Sequence, residues 1–147
     1  MTVRVQAARF DPGAELAAFG QGRADIGAIV TFTGIVRDRD GGGLHRMEIE
    51  HYPGMTESAI AAIEAEAVDR WALRDSLIIH RYGPLALGEA IMMVATAAPH
   101  RGDAFAAAEF LMDYLKSRAP FWKREVTADG ADWVAAKDTD EAALTRW

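Results

Sequence analysis

The chain has 147 residues, 50% hydrophobic and 26% charged, which is the length and balance of one folded domain rather than of a disordered segment. Its 22 Asp and Glu outweigh 16 Lys and Arg, a net charge of −6, and this argues against a duplex nucleic-acid binder, whose affinity needs a basic excess. The lack of cysteine excludes disulfides, thiolate metal ligands and cysteine nucleophiles, and fits a reducing compartment.

Taken in chain order, VRVQAARF alternates as an edge strand, and the first ten residues carry no long apolar stretch of a secretory signal. PGAELAAFGQG reads as a short helix closed by glycine. AIVTFTGIVRD, residues 28–38, is rich in β-branched residues and predicts a strand, followed by a loop on Gly41 to Gly43. HRMEIEHY alternates again, with His45, Met47, Ile49 and His51 on one face. An amphipathic helix follows, with Thr56 as N-cap and Ile60, Ile63, Ala67 and Trp71 at helical spacing. SLIIHRYG and EAIMMVATAA predict two strands joined by a turn-rich GPLALG. A second long helix runs from Gly102–Ala104 to Arg118 on a stripe of Phe105, Ala108, Leu111, Met112 and Leu115, and ends at Pro120. FWKREV and DWVAA are short strands before a polar stretch closing on Trp147. Alternating strands and helices with hairpin-like pairs give an α+β class, or α/β with antiparallel pairing, in one domain spanning residues 1–147. No apolar run approaches the ~18 residues of a membrane span, so a soluble, cytoplasmic protein without membrane contact is expected.

Chemistry concentrates in KSRAPFWKREV, where Lys116, Arg118, Lys123 and Arg124 surround Phe121 and Trp122. Helix-dipole complementarity accounts for Lys116 and Arg118 but not for the cations beyond Pro120. Burying the two rings would pin the segment, and two lysines held together lower each other's pKa, enough for proton transfer or nucleophilic work. A solvated basic patch is the alternative. In APHRGDAF, His100 and Arg101 stand where a strand gives way to a helix N-terminus, a natural anion site, unless Asp103 merely caps the helix. Arg37 ends a strand beside the glycine loop. His45, His51 and His80 read as strand residues, and no metal-ligand spacing is present.

The segments VTFTGIVRD, IEHYPGMTE, IHRYG, APHRGDAF and FLMDYLKSRAPFWKRE, with the closing tryptophan, together resemble one family, the large catalytic subunit of molybdopterin synthase, MoaE. The likeness spans nearly the whole chain and is weak only at the N-terminus and over residues 38–44. It implies an α/β hammerhead fold with an additional small antiparallel sheet. It implies a homodimer that forms a heterotetramer with two small ubiquitin-like MoaD-type subunits, whose C-terminal Gly-Gly thiocarboxylate delivers sulfur to cyclic pyranopterin monophosphate, two rounds building the dithiolene of molybdopterin. On that resemblance Lys116 is the catalytic lysine beside the thiocarboxylate carbon and Lys123 the second essential lysine. Arg124 and Glu125 continue the substrate-contacting segment, His100 and Arg101 hold the phosphate end, and Ile35, Val36 and Arg37 contact substrate, Arg37 from its own or the partner protomer. Ile35 replaces a lysine found in some members, which leaves only its backbone for that role. No cofactor and no metal are implied. Two other readings fit the residues: an adaptor that docks a ubiquitin-like tail without chemistry, and a single-stranded nucleic-acid module stacking bases on Phe121 and Trp122.

Overall fold

The computed structural model describes residues 1–135 and 137–147. Along the chain come β1 (Thr2–Gln6), α1 (Pro12–Ala18), β2 (Ala28–Ile35), β3 (Leu44–His51), α2 (Met55–Trp71), β4 (Asp75–Arg81), β5 (Gly83–Ala86), β6 (Ala90–Ala98), α3 (Arg101–Ser117), β7 (Phe121–Thr127), β8 (Gly130–Trp133), α4 (Asp138–Ala143) and a 3-10 turn, Leu144–Arg146. The strands form two four-stranded sheets, ordered β1-β4-β6-β2 and β5-β3-β7-β8. Among the described residues only the β1–β4 pairing is parallel. The class is α+β, and the second sheet is the added antiparallel one that was expected.

Strand alternation divides the first sheet into two faces. Ile78, Met92 and Val94 face α2 and α3, packing with Ile60, Ile63, Ala67, Phe110 and Leu111. Leu77, Ile79, Met93 and Ala95 face the other way, under Phe10 and Phe19. His80 keeps the parity of Ile78, so it projects from the end of β4 onto the helix-covered face. The start of α3 is tied to the sheet by the buried Thr96 hydroxyl, which donates to the Ala104 carbonyl at 2.8 Å. Its other end is held by an aromatic cluster in which Trp147 meets Phe110 and Trp71 edge-on and donates its indole N–H to Asp113 at 2.6 Å.

Several local expectations change. The N-cap of α2 is Gly54, at φ 84°, with Glu57 accepting from its N–H. Thr56 lies inside the first turn, where its buried hydroxyl accepts from Tyr52 N–H (3.0 Å) and donates to the Pro120 carbonyl (3.1 Å). A threonine there stitches the α2 start to the β7 entry, which a capping preference cannot anticipate. Phe105 is 62% exposed, because Ala104, Ala107, Ala108, Leu111 and Leu115 form the buried stripe and residue 105 lies about 100° around the helix from 104. GPLALG is not only a turn. Gly83 (φ 89°) redirects the chain, fully buried Leu85 anchors it, and β5 crosses to the second sheet to pair with β3. A register shift between Leu44 and Arg46 leaves His45 exposed, off the face of Met47 and Ile49. The strand expected at DWVAA is Gly130–Trp133, and its Ala136 lies outside the described residues. Among the described residues, no helix is long and apolar enough to cross a membrane.

Candidate active site

Where the two sheets meet the C-terminal end of α3, a cavity of about 620 Å³ opens between the end of β2 (Phe32 to Arg37), β4 and β6 (His80, Ile91, Met92), α3 (Met112, Leu115, Lys116) and β7 (Lys123). A narrower lobe of about 150 Å³ adjoins it, lined by Ala119 and Phe121 and closed by the C-terminal segment with Ala135, Lys137 and Asp140. His80, Leu115, Lys116 and Lys123 line both lobes and so form the waist between them.

Each waist residue arrives there for a local reason. Lys116 sits in the last turn of α3, one residue beyond the buried Leu115. Pro120 ends the helix region, and β7 then pairs antiparallel with β3 in a register that sets Phe121 opposite His51 and Lys123 opposite Ile49. Two-residue periodicity therefore turns Phe121, Lys123 and Glu125 to one face and Trp122 and Arg124 to the other. Phe121 stacks on the His80 ring, centroids 3.7 Å apart at 17°, which pins the first residue of the strand beside the cavity.

The charges at the waist are unusual for this chain. It contains three lysines, Lys116, Lys123 and Lys137, and all three line the narrow lobe. None of the three takes part in an ion pair among the described residues, whereas Arg4, Arg9, Arg23, Arg81, Arg118, Arg124 and Arg146 all do. Burial pushes the Lys123 ammonium down to about 8 from 10.5, the nearby Lys116 charge adds to the fall, Asp140 opposes it and Lys137 contributes a little more. Burial likewise holds the His80 imidazole down at about 3. Its bond to the Arg81 carbonyl opposes that, while Lys123, Lys116 and His51 lower it further. About one Lys123 in ten is thus a neutral amine at pH 7, and His80 is uncharged.

The sequence-derived candidates separate in space. Lys116, Lys123, Ile35, Val36 and Arg37 share the large lobe. Ile35 is 49% exposed and follows a bulge at Gly34. The Val36 backbone is committed, its N–H to Glu89 O and its carbonyl to Gly88 N–H. Arg37 stands exposed at the rim with Asp40 (3.2 Å) as its partner. Arg124 turns away from the cavity, pairs with Glu48 and lies over the Trp133 ring at 5.4 Å. Glu125 shares the Lys123 face but engages Arg39 at 3.3 Å. Trp122 is exposed, against the expectation that both rings of this segment are buried, and meets Tyr52 edge-on. Its ring and that of Phe121 lie on opposite faces and make no common stacking platform. His100 and Arg101 are exposed at the opposite end of α3, 15 residues and about 22 Å of helix from Lys116. Asp103 makes no side-chain cap there.

The MoaE protein family profile matches residues 5–118. The chain belongs to the MoaE family. It is 70% identical to the molybdopterin synthase catalytic subunit of Cereibacter sphaeroides over the whole of both chains. Among solved structures it superposes on the molybdopterin biosynthesis MoaE protein of Burkholderia ambifaria with a TM-score of 0.85 and 54% identity, covering 99% of this chain and 97% of that one. A protein–protein complex of subunits 1 and 2 of molybdopterin-converting factor from Helicobacter pylori contains the same fold, with a TM-score of 0.76 at 20% identity over 92% of this chain and 90% of that one.

Within this MoaE fold, pattern reading passed over Lys137, Asp140 and the role of His80. Lys137 and Asp140 lie in a polar tail with no periodicity, and nothing local signals that the tail folds back over the lysines. His80 did carry a signal, an imidazole inside an otherwise apolar strand. Among the described residues no group of three or more His, Asp or Glu is placed to hold a metal ion.

Proposed function

We propose that this MoaE-family protein is a molybdopterin synthase catalytic subunit, a single catalytic domain over residues 1–147. In this reading it moves sulfur from the C-terminal thiocarboxylate of a small ubiquitin-like carrier to cyclic pyranopterin monophosphate. The carrying observation is the convergence of the chain's three lysines, without ion-pair partners among the described residues, on one two-lobed cavity. The large lobe has the size of a small-molecule site, with Phe32, Met92 and Met112 as apolar wall and Arg37 at the rim for an anion. The narrow lobe suits a Gly-Gly tail, which has no side chains to accommodate.

The thiocarboxylate arrives at the waist, where Lys116 and Lys123 stabilise its negative charge and the charge that develops as sulfur attacks the pterin side chain. A carbon–sulfur bond forms at a side-chain carbon as that carbon's bond to oxygen breaks, the oxygen leaving protonated. Water then cleaves the acyl–sulfur bond, leaving the sulfur on the pterin and the carrier with an ordinary carboxylate. The pKa of Lys123 suits it to accept and return a proton near neutral pH. Two carriers are consumed per dithiolene. The Helicobacter pylori relative, solved as a complex of two subunits, is in keeping with a small-subunit partner.

His100 and Arg101 cannot reach the Lys116 waist of their own chain across about 22 Å, so their anion-holding role requires a second protomer. Edge strand β2 with exposed Phe32, beside exposed Phe105 of α3, offers that protomer an apolar face. The assembly is thus a homodimer of this chain carrying two small subunits, working in the cytoplasm. Arg124 and Glu125 act by shaping β7 rather than by touching substrate.

The test combines purified protein, thiocarboxylated small subunit and cyclic pyranopterin monophosphate, with molybdopterin read as its fluorescent oxidised derivative. Wild type should form product, and Lys116→Ala, with an unchanged melting temperature, should lose at least about 100-fold in rate. Wild-type turnover in the variant would remove the assignment.

A further inference from the structure

His80 holds a position that its burial alone does not explain. The ring is 4% exposed and clamped on one face by Phe121. Its Nδ1 lies 2.9 Å from the Arg81 carbonyl. A carbonyl only accepts, so Nδ1 is the protonated nitrogen and Nε2 carries the lone pair. Nε2 has no hydrogen-bond partner among the described residues, yet the ring lines both cavity lobes at the waist.

The groups packed around that ring decide what Nε2 can bind. From β4, Arg81 is turned away to Glu89 and the Ala7 carbonyl. From β3, His51 stacks on Tyr82 at 4.0 Å and stands 3.8 Å from Glu57. From α3 and β7 come Lys116 and Lys123, and from the C-terminal segment Lys137 and Asp140. Lysines donate and never accept, and a protonated ring would repel them. A neutral acceptor that opens onto the cavity beside two cations is the complementary arrangement.

Resting on the sulfur-transfer reading above, we propose that His80 is a positioning residue: rotation of the Lys123 side chain brings its amino group to the free Nε2, and that hydrogen bond aims Lys123 toward the reacting sulfur. The burial that keeps the imidazole neutral is what preserves the acceptor across the working pH range. Phe121 then has a function as well, since its stack fixes the plane in which Nε2 points.

Two measurements on the protein without substrate test this, independently of turnover. Imidazole 15N spectra of wild type should show His80 as the Nδ1–H tautomer, neutral down to about pH 4; an Nε2–H tautomer would overturn the proposal. Lysine side-chain NMR should then give a Lys123 titration midpoint lower by ~0.5–1 unit in His80→Phe than in wild type, because loss of an acceptor disfavours the ammonium form. His80→Gln, which retains an acceptor, should restore part of the shift. Unchanged lysine titrations in His80→Phe would also overturn it. In the sulfur-transfer assay kcat should fall at least about 10-fold in His80→Phe, with KM for the small subunit little changed. A wild type that shows the tautomer and the lysine shift but makes no product would refute the sulfur-transfer reading and leave the hydrogen bond standing. Product formation with unmoved lysine titrations would refute the His80 role alone.

Discussion

Replacing Lys123 by methionine should make the protein more stable while removing its activity. The charged lysine is disfavoured in the fold, since its pKa falls from 10.5 to about 8, chiefly through burial and secondly through Lys116. Below pH 8 the amine is protonated in both folded and unfolded chains, so the folded state carries the whole penalty. Between pH 8 and 10.5 the folded amine is neutral while the unfolded one still binds a proton, and the penalty shrinks as pH rises. Above 10.5 it is gone. About 2.5 pKa units at 1.36 kcal/mol each give about 3 kcal/mol, and solvent screening at a half-buried site reduces the expectation to about 2 kcal/mol. Methionine keeps the apolar stem and drops the charge. Urea unfolding at pH 7 should show a midpoint raised by about 1 M with an unchanged slope, given slopes of about 2 kcal/mol/M. The difference between variant and wild type should be half lost near pH 9 and absent above pH 10.5. A midpoint that fails to rise at pH 7, or a gain that ignores pH, would refute the claim that the site strains Lys123.

The same titration should appear in turnover: kcat/KM for sulfur transfer rises with pH through a midpoint near 8, as Lys123 becomes the neutral amine, and a rate flat between pH 6.5 and 9 would refute its role as base. Gly27→Ala tests the sheet edge that carries the cavity wall, because a Cβ there would sit 2.1 Å from the Pro99 carbonyl oxygen and force apart the Gly27 N–H to Ala98 O bond of 3.0 Å. A cost of about 2–3 kcal/mol is expected, read as a melting temperature lower by about 6–9 °C; an unchanged melting temperature would show that this approach is not tight.

Most of the element order was legible because its signals are local, whereas strand β5 in GPLALG and helix α4 in the polar C-terminal stretch were not foreseen. Ile60, Ile63 and Ala67 announced α2, Pro120 ended the α3 region, and β-branched runs marked β2 and β4. The errors fall where a distant partner decides. Thr56 looks like a cap until Pro120, 64 residues away, takes its hydroxyl. Phe105 fits a helical stripe as well as Ala104 does, and only packing on β6 chooses between them. Gly83 reads as a turn whether or not β3 waits to pair with the next residues. The site divides in the same way. Lys116 and Lys123 are close in sequence and remain close in space, whereas His100 and Arg101 share a motif character with them but are held apart by the length of α3. Strand parity would have separated Lys123 from Arg124 and Trp122, but only once β7 was known to be a strand.

The distribution of cations explains how an acidic protein keeps a basic cleft. Arginines carry much of the structural work: Arg81 ties Glu89 to the N-terminal segment, Arg124 ties β7 to Glu48, and Arg146 ties the C-terminus to Glu109 and Asp113. A guanidinium suits such fixed, multi-donor pairs and stays charged under all ordinary conditions. An ammonium can lose its proton when buried among like charges, and the chain reserves this chemistry for one place. Lys116, Lys123 and Lys137 all line the narrow lobe, with Asp140 on its wall and His80 neutral at its waist. Exchange of Lys123 for arginine would keep the charge and the attraction for an anion, yet forbid proton transfer near neutral pH. The segregation of the two residue types therefore favours a waist that moves protons during catalysis over one that only attracts its substrate.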